Sequence, residues 1–585
     1  MTLGPTIPLT LALSPKRGRG DRINQSSHLS ELPPMLNQTR RAFLLSTCGA
    51  ALVLAGCGDS GPQTNGAASN GPSGEIVLNR GNGAEPKSLD PHFTEGTWES
   101  AITGDLLMGL LTEDAEGKSI PGAATNWETS TDGKTWTFHL ADHQWSDGMP
   151  VTAEDFIFAW RRILDPKTAA QYASLLYLFK NGEAINTGKM KPEELGAKAT
   201  DAKTIVLELE HPVPYLTELM THQTTFPVPK HAVEAKGDDW SKAGNYIGNG
   251  AYTLAEWVPN DHVTLVKNPK FFDAANVQID RVVFYPTTDG DAALKRFRAR
   301  ELDVQDPLPA SQIDWLKQNM PETLQIGPYL GTGYIVVNQT RRPFGDVRVR
   351  QALNLAYDRE TVSEKIRRLG EPPAYTFVPP GIANYPYGNS LDFKELPYAE
   401  RIKRAQGLMR QAGYSAEKRL KTTYSISTSP DARRSAAAIQ QMWKEIYVDV
   451  ELVPSEVQIN YLKLQNGDYD IGGAGWVADF NDARNFLFLL MTNNGGFNYG
   501  RYKNAEFDKL MNASDLEPDL KKRGDLMARA EAIALKEYAW IPTLNLVTLN
   551  IVRPYVKGWV ANVKDTHRTR FLSIDTAARA ATAPA

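Results

Sequence analysis

Short runs in which apolar and polar residues alternate are interspersed along the chain with longer segments whose apolar residues recur at helical spacing. Alternation predicts β-strands at residues 135–140 and 204–209, and shorter strand-like runs occur at 76–78 and 262–266. Helical spacing predicts helices at residues 153–164, 289–300, 347–355, 360–369, 400–411, 433–446 and 520–535. This mixture predicts an α/β or α+β protein, not a helix bundle or a β-sandwich.

The longest apolar run, residues 42–56, has fifteen residues and no charge. It falls short of the roughly 20 residues that cross a bilayer as a helix. The run therefore predicts the hydrophobic region of a signal peptide, which we place at residues 35–56. Residues 1–34 have no place in such a signal and are interpreted as a non-native upstream extension.

Two motifs flank this apolar run. Residues 39–45, Thr-Arg-Arg-Ala-Phe-Leu-Leu, resemble the twin-arginine export motif, with an ordinary secretory signal as the alternative. Residues 54–57, Leu-Ala-Gly-Cys, resemble a bacterial lipobox, which predicts a diacylglyceryl group on Cys57. Cleavage before Cys57 would make residues 57–74 a lipid-modified, flexible Gly/Ser/Asn/Pro tether.

Composition limits the classes of partner. The 64 basic and 68 acidic residues give a formal net charge of −4, so the chain has no general attraction to nucleic acid or anionic lipid. The only cysteines are Cys48 and Cys57. Both belong to the export segment, which excludes a disulfide scaffold, a cysteine-built zinc site and a thiol nucleophile in the body.

Catalytic motifs are missing from the body of the chain, residues 75–585. It contains no Gly-x-Ser-x-Gly, His-Glu-x-x-His, Cys-x-x-Cys or Gly-x-Gly-x-x-Gly. The Gly-Lys-Ser and Gly-Lys-Thr runs at 117–119 and 133–135 lack the leading glycine of a phosphate loop and are predicted turns. His139 and His143 fall in a strand and in the turn after it, so a shared metal is not expected. We therefore expect no enzyme, no cofactor and no metal.

A series of motifs runs in one order from about residue 75 to about residue 575. They are Glu-Pro-Lys-Ser-Leu-Asp-Pro at 85–91, Trp-Ser-Asp-Gly-Met-Pro-Val-Thr-Ala-Glu-Asp-Phe at 145–156, Ala-Trp-Arg-Arg at 159–162, Leu-Asp-Pro at 164–166, Pro-Val-Pro-Tyr at 212–215, Gly-Asn-Gly-Ala-Tyr at 248–252, Asp-Val-Arg-Val-Arg-Gln-Ala-Leu at 346–353 and Gly-Trp-Val-Ala-Asp-Phe at 475–480. The series resembles the oligopeptide-binding proteins of bacterial ABC importers, which are family 5 of the extracellular solute-binding proteins.

The resemblance implies a two-lobed periplasmic-binding-protein fold of the large peptide-binding type, with a third, inserted domain. In such folds the lobes close over the ligand about a hinge. The implied boundaries are 75–107, 232–330 and 547–575 for lobe I, 108–231 for the inserted domain and 331–546 for lobe II.

The resemblance also implies the ligand contacts. An extended peptide carries amide donors and acceptors, and each one left unpaired costs about 1–3 kcal/mol, so strand-like protein backbone suits it. The implied backbone partners are Glu95, Gly96 and Thr97 from one lobe and Gly475, Trp476 and Val477 from the other.

Asp479 is the implied carboxylate partner of the peptide's ammonium group, which needs a counter-charge where water is excluded. Its alternative role is that of an N-cap or turn residue before a helical segment at 482–491. Trp476 is similarly either a core residue or the wall of a side-chain pocket, and the resemblance favours the wall.

The chain departs from the family at two places. Some members carry an arginine where this chain has Gly473, so a preference for short peptides set by that arginine is in doubt. Certain members also carry a disulfide between positions that match Gly331 and Val477, and here both cysteines are missing together.

The expected protein is a receptor, a monomer held in the periplasm by a lipid anchor on the inner or outer membrane, that captures oligopeptides and delivers them to an ABC permease and its ATPases. On the same scaffold it could instead bind murein peptides, dipeptides or nickel complexes. A secreted lipoprotein hydrolase or a chaperone is the alternative from another class.

Overall fold

The computed structural model describes residues 74–582 except Glu95, Pro307, Pro309 and Gly495. The upstream extension, the signal peptide, Cys57 and all but the last residue of the tether lie outside the described residues.

The largest element is a ten-stranded mixed sheet. From one edge to the other its strands are β14 (Val448–Ser455), β13 (Leu420–Ser427), β15 (Ile471–Val477), β12 (Leu324–Val337), β16 (Ile541–Val552), β11 (Val304–Asp306), β1 (Val77–Asn82), β10 (Arg281–Tyr285), β9 (His262–Lys267) and β8 (Tyr252–Val258). The β13 strand is parallel to β14 and β15, and β1 is parallel to β10 and β11. The remaining pairs are antiparallel.

Two long strands, β12 and β16, lie at the centre of this sheet. They pair with each other on both sides of a register shift between Pro328 and Thr332. On one side of the shift β16 also pairs with β11, and on the other side β12 also pairs with β15. The two halves of the sheet are therefore joined through a paired, irregular crossing.

A second, four-stranded sheet has the antiparallel order β4 (Ala124–Thr129), β5 (Thr135–Leu140), β7 (Thr204–Glu208) and β6 (Ala197–Asp201). Alternate residues of β5 and β7 are buried, as the period-two pattern predicts. Two small antiparallel pairs complete the strands. They are β2 (Leu111–Glu113) with β3 (Ser119–Pro121), and β17 (Val556–Lys557) with β18 (Ser573–Ile574).

Helices connect and cover the strands. The α-helices are α1 (Thr97–Leu106), α2 (Ala153–Leu164), α3 (Gly182–Asn186), α4 (Leu216–Leu219), α5 (Lys230–Lys236), α6 (Gly290–Arg298), α7 (Ile313–Asn319), α8 (Val347–Ala356), α9 (Tyr398–Gln411), α10 (Pro430–Lys444), α11 (Val457–Asn466), α12 (Arg484–Leu487), α13 (Ala505–Leu516), α14 (Leu520–Lys536) and α15 (Thr576–Ala581). Six of the seven predicted helical segments are confirmed, within a few residues at each end. The seventh, at 360–369, is a π-helix, Thr361–Arg367.

The buried apolar residues form two large clusters and one small one. The first cluster joins β1, β9 and β10 to the four-stranded sheet and α2, and contains Trp145, Trp160 and Trp240. The second surrounds β12–β15 with α8–α10 and α14, and contains Trp443 and Trp540. The small third cluster joins α6 and α7. The four-stranded sheet therefore shares its core with one half of the large sheet.

Three further structural observations bear on function. Within residues 74–582, no helix has both the length and the apolar character needed to cross a bilayer. The same described residues contain no group of three or more His, Cys, Asp or Glu placed to hold a metal ion. The Gly-Lys runs are turns, as predicted, with Gly117 and Gly133 at φ values of 77° and 70°.

Candidate functional site

A cleft of about 1010 Å³, part of it open to solvent, lies where several segments of the chain meet. Its lining comes from the start of α1, the loop at 221–223, the β12 crossing at Tyr329 and Leu330, the residues from Val477 to Phe480 at and after the end of β15, and the C-terminal segment 563–568, together with Arg80, Glu113 and Tyr172. Polar and charged side chains from these segments face the cleft, together with exposed main chain. The cleft can therefore bind a ligand that carries both amides and charges.

The β15 strand contributes one backbone edge to this cleft. Ala478 N–H donates to Leu330 O at 2.8 Å, so Ala478 faces β12. The Gly475 N–H instead bonds a side chain on the other side of β15. Because strand residues alternate in direction, the N–H and C=O of Gly475 and Val477 both point away from β12. The two predicted backbone partners thus share one strand edge.

Asp479 follows β15 and lines the cleft. Within the described residues no basic side chain lies within ion-pair distance of its carboxylate. Burial raises the pKa of Asp479 to about 6, and a hydrogen bond with Asn485 partly opposes that rise. The carboxylate does not cap the next helix, since α12 begins after Ala483 and Asp482 Oδ1 accepts the Arg484 N–H. Asp479 is thus a partly buried carboxylate without a counter-charge.

Trp476 projects from the face of β15 opposite to that of its neighbour Val477 and is only 7% exposed. Its indole packs edge-on against Phe488 and Phe497, with ring centroids 5.5 and 5.7 Å away. Its Nε1–H donates to Asn485 Oδ1 at 2.7 Å, and the same oxygen accepts the Asp479 N–H at 3.4 Å. The side chain is thus part of the core, and through Asn485 it helps to fix the position of Asp479.

The predicted contacts on the opposite side of the cleft lie at the start of α1. Gly96 is extended, and its N–H donates to Glu99 Oε2 at 2.9 Å. Thr97 is already the first residue of α1, so the strand-like backbone expected here is limited to Gly96. Both Gly96 and Thr97 line the cleft. The predicted contact Glu95 lies outside the described residues.

A charged network in the cleft wall was not predicted. Glu113, 5% exposed, accepts from Lys564 Nζ and Arg568 Nη2, both at 3.3 Å. Lys564 also bonds Glu218 at 2.8 Å. Although burial raises the pKa of Glu113, Lys564 and Arg568 hold it below its usual value. Beside them, burial lowers the pKa of His222 to about 4, so its ring is neutral at pH 7.

The sequence did not predict this network because its members are far apart in the chain. Glu113 and Arg568 are 455 positions apart, and no local periodicity links them. The remaining signal was a cluster of charges in residues 564–570, Lys-Asp-Thr-His-Arg-Thr-Arg, which a solvent-exposed segment would explain equally well.

The positions at which this chain departs from the family pattern, Gly473 and the pair Gly331 and Val477, lie close together. Gly331 and Val477 are register partners in the β12–β15 pair, as a disulfide between these positions in other members would require. A Cβ on Gly331 would approach Leu546 Cδ1 to 2.5 Å, so the Leu546 side chain occupies that space. A Cβ on Gly473 would lie 3.2 Å from the Tyr424 hydroxyl.

Comparison with known proteins agrees with this architecture. The model of the bacterial extracellular solute-binding proteins, family 5 (middle), matches residues 118–498. The periplasmic oligopeptide-binding protein OppA of Haemophilus influenzae is 40% identical over 499 residues, which are 84% of this chain and 92% of that protein.

Solved structures extend the similarity to three dimensions. The Haemophilus influenzae OppA complex with the peptide RPPGFSPFR has a TM-score of 0.70 at 38% identity, covering 86% of this chain and 99% of that one. The unliganded open form of MppA, a periplasmic murein tripeptide-binding protein, has a TM-score of 0.76 at 34% identity, covering 86% and 98%.

The mixed sheet with its crossing strands and the cleft beside them define a substrate-binding protein of the periplasmic type, which confirms the predicted fold class. The chain belongs to family 5 of the bacterial extracellular solute-binding proteins. The family assignment made from the ordered motifs is therefore confirmed.

Proposed function

We propose that the protein is the extracytoplasmic oligopeptide receptor of an ABC importer and that it has no enzymatic activity. The observation that carries this proposal is Asp479, a partly buried carboxylate in the cleft whose pKa is raised to about 6 and which has no described cationic partner. An ammonium group bound beside this carboxylate supplies the counter-charge that the free protein lacks, which strengthens binding. The relatives named for oligopeptide binding support the same ligand class.

In the proposed complex the peptide's N-terminus lies at Asp479 and its main chain lies along the outward edge of β15. The edge groups of Val477 lie closest to Asp479, and those of Gly475 come next. Gly96 and Thr97, which line the cleft, are proposed to contact the peptide from the opposite side, as is Glu95, which lies outside the described residues. Hydrogen bonds between the two main chains do not depend on the side chains of the peptide, so such a site tolerates many peptide sequences.

Calorimetry with free-amine and N-acetylated forms of one peptide tests the proposal. The wild-type protein should bind the free-amine form at least about tenfold more tightly, because acetylation removes the charge that Asp479 binds. The Asp479→Asn variant should lose this difference. The exposed Asp468, changed to Asn, is a matched control and should keep it. Equal binding of both peptide forms by the wild-type protein would contradict the proposal.

Trp476, with Phe488 and Phe497, is proposed to form one wall of a side-chain pocket. Phe488 and Phe497 are only partly buried, so the aromatic group reaches the surface while Trp476 forms its base. Trp476→Ala should change the order of affinities across a panel of peptides that differ at one position. An unchanged order would leave Trp476 as a core residue only.

The three-unit division is also proposed. Lobe I is assigned to 75–107, 232–330 and 547–575, the inserted domain to 108–231, and lobe II to 331–546. The separate apolar clusters and the register shift between Pro328 and Thr332 support a hinge at the β12–β16 crossing. Small-angle scattering with and without a peptide tests it, since closure should reduce the radius of gyration.

Export and anchoring rest on the lipobox and the arginine pair. We propose that Cys57 carries a diacylglyceryl group, that the protein is a monomer and that it lies in the periplasm, with the importer's permease and ATPases as partners. Cys57→Ser should abolish incorporation of labelled palmitate and release the protein from membranes. If the Cys57→Ser variant still incorporated labelled palmitate, a lipid anchor on Cys57 would be excluded.

Murein peptides are the second candidate ligand, because the structural similarity to the murein tripeptide-binding protein is at least as high as that to OppA. Competition between a murein tripeptide and an unrelated tripeptide for the same cleft distinguishes them. Preference for the murein tripeptide by more than about tenfold would favour this second candidate.

A further inference from the structure

One edge of β15 changes its partner partway along the strand. The β13 strand pairs with β15 only at Ile471 and Gly472. Beyond Gly472 no described strand lies on that side, and the edge runs towards the cleft. The main-chain groups from Gly473 to Val477 are those that an added peptide strand would use.

Side chains of α11 already occupy part of this edge. The Tyr461 hydroxyl accepts the Gly475 N–H at 3.2 Å and lies 3.3 Å from Gly475 O, to which it donates. Asn460 Nδ2 donates to Gly473 O at 3.2 Å. One tyrosine therefore uses both main-chain groups of Gly475, and the neighbouring asparagine uses the carbonyl of Gly473.

The position of Tyr461 relative to Asp479 can be expressed in ligand residues. A strand rises about 3.4 Å per residue, so Gly475 lies roughly 14 Å along the chain from Asp479. A peptide whose ammonium group is at Asp479 would pass Val477 with its first two residues. Its fourth residue would reach Gly475, where the Tyr461 hydroxyl already occupies the hydrogen-bonding positions.

We infer that Tyr461 is a specificity-determining residue that limits peptide length: peptides of two or three residues bind without disturbing it, and longer ones must displace its hydroxyl from Gly475. This inference rests on the proposed function. A longer peptide exchanges the two Tyr461 bonds for bonds of its own, so its additional residues add little affinity.

The surroundings of α11 allow such a displacement. Only Asn460 and Leu464 of this helix are buried, and its outer face exposes Val457, Ile459 and Leu462. The Asn460 Oδ1 is buried without a hydrogen-bond partner among the described groups, so the present arrangement of the helix is incompletely satisfied. The Tyr461 ring packs against Tyr499, with ring centroids 6.1 Å apart, so the smallest displacement is a rotation that removes the hydroxyl from Gly475 and keeps the ring in place.

Calorimetry with free-amine alanine peptides of two to six residues tests the inference. The wild-type protein should bind peptides of four or more residues no better than the tripeptide. Tyr461→Phe keeps the ring and removes both hydroxyl bonds, so it should strengthen binding of the longer peptides by about tenfold and leave the tripeptide within about twofold. The matched control is Tyr447→Phe, which removes a surface hydroxyl that bonds Arg410, and it should keep the wild-type profile.

A second measurement needs no variant. Gly475 sits in an edge position, and in the free protein the Tyr461 hydroxyl should slow deuterium exchange in the peptic fragment that spans residues 471–477. Fast exchange in this fragment overturns the role of Tyr461 while peptide binding stands. In the calorimetric experiment, the same length profile in Tyr461→Phe as in the wild type has the same consequence. Failure of the wild-type protein to bind any peptide of the series overturns the proposed function as well.

Discussion

The ring of Phe480, the residue after Asp479, stacks on Tyr215 with ring centroids 4.7 Å apart and 4° between the planes. The Arg523 guanidinium lies 5.1 Å from the Tyr215 ring and pairs with Asp482. Tyr215 belongs to the segment we assign to the inserted domain, whereas Phe480, Asp482 and Arg523 belong to proposed lobe II. The stack therefore connects these two segments immediately beside Asp479, the proposed partner of the peptide's ammonium group.

Phe480→Leu should weaken peptide binding by about twofold to tenfold, because an aromatic pair contributes about 0.5–1.5 kcal/mol beyond its buried area. The loss should lie mainly in faster dissociation, since the stack joins the residue after Asp479 to the segment assigned to the inserted domain. Stopped-flow measurement of both rate constants checks this. Phe272→Leu, at an exposed phenylalanine outside the cleft lining, is the control, and an equal effect there would refute the assignment.

Peptide affinity should depend on pH through Asp479. In the free protein its pKa is about 6, and the bound ammonium group lowers that pKa. Affinity should therefore be highest above about pH 7. It should fall as pH drops through 6, and the decrease should approach about tenfold per pH unit. The His222 ring, with a pKa of about 4, stays neutral over this range. Calorimetry from pH 5 to pH 8 should show a slope in the wild type and none in Asp479→Asn.

Asp479→Asn should stabilise the ligand-free protein at pH 7.5. The folded-state pKa of about 6 lies above the unfolded value near 4, so the unfavourable contribution of Asp479 grows as pH rises from about 4 to about 6 and is fully present above 6. At about pH 4 and below, the carboxyl is largely protonated in both the folded and the unfolded protein, and the two proteins should melt alike. Calorimetric melting at both pH values checks this, and a less stable variant at pH 7.5 would disprove it.

Glu113→Gln should lower the free energy of unfolding by about 1–3 kcal/mol, because buried Arg568 loses its carboxylate partner while Lys564 keeps Glu218. Urea unfolding followed by tryptophan fluorescence measures the loss. Glu116→Gln breaks the exposed pair with Lys118 only three residues along the chain and should change nothing measurable. Equal effects of the two substitutions would show that the network in the cleft wall is not stabilising.

Local patterns predicted six α-helices and four strands, but they did not predict the long central strands β12 and β16. The predicted helix at 153–164 is α2, with Phe156, Trp160 and Ile163 on its buried face. The buried position of Trp476 and the π-helix at Thr361–Arg367 depend on packing partners from elsewhere in the chain, which no local spacing contains.

The candidate site was only partly predictable. Asp479 and the β15 edge follow from one contiguous motif, so the resemblance located them. Glu113 with Lys564, and Tyr461 with Gly475, are pairs that only the folded sheet and its helices bring together. Neither Tyr461 nor Glu113 belongs to a motif that marks a binding site.

The paired crossing of β12 and β16 has a consequence for the life of the protein outside the cytoplasm. Main-chain hydrogen bonds continue on both sides of the register shift, so the proposed rotation of the two halves would alter the twist of two paired strands and would unfold no linker. Each proposed cycle of capture and release would then leave this hinge without a length of extended, unpaired chain for a protease to cleave. Repeated turnover is compatible with a long-lived protein.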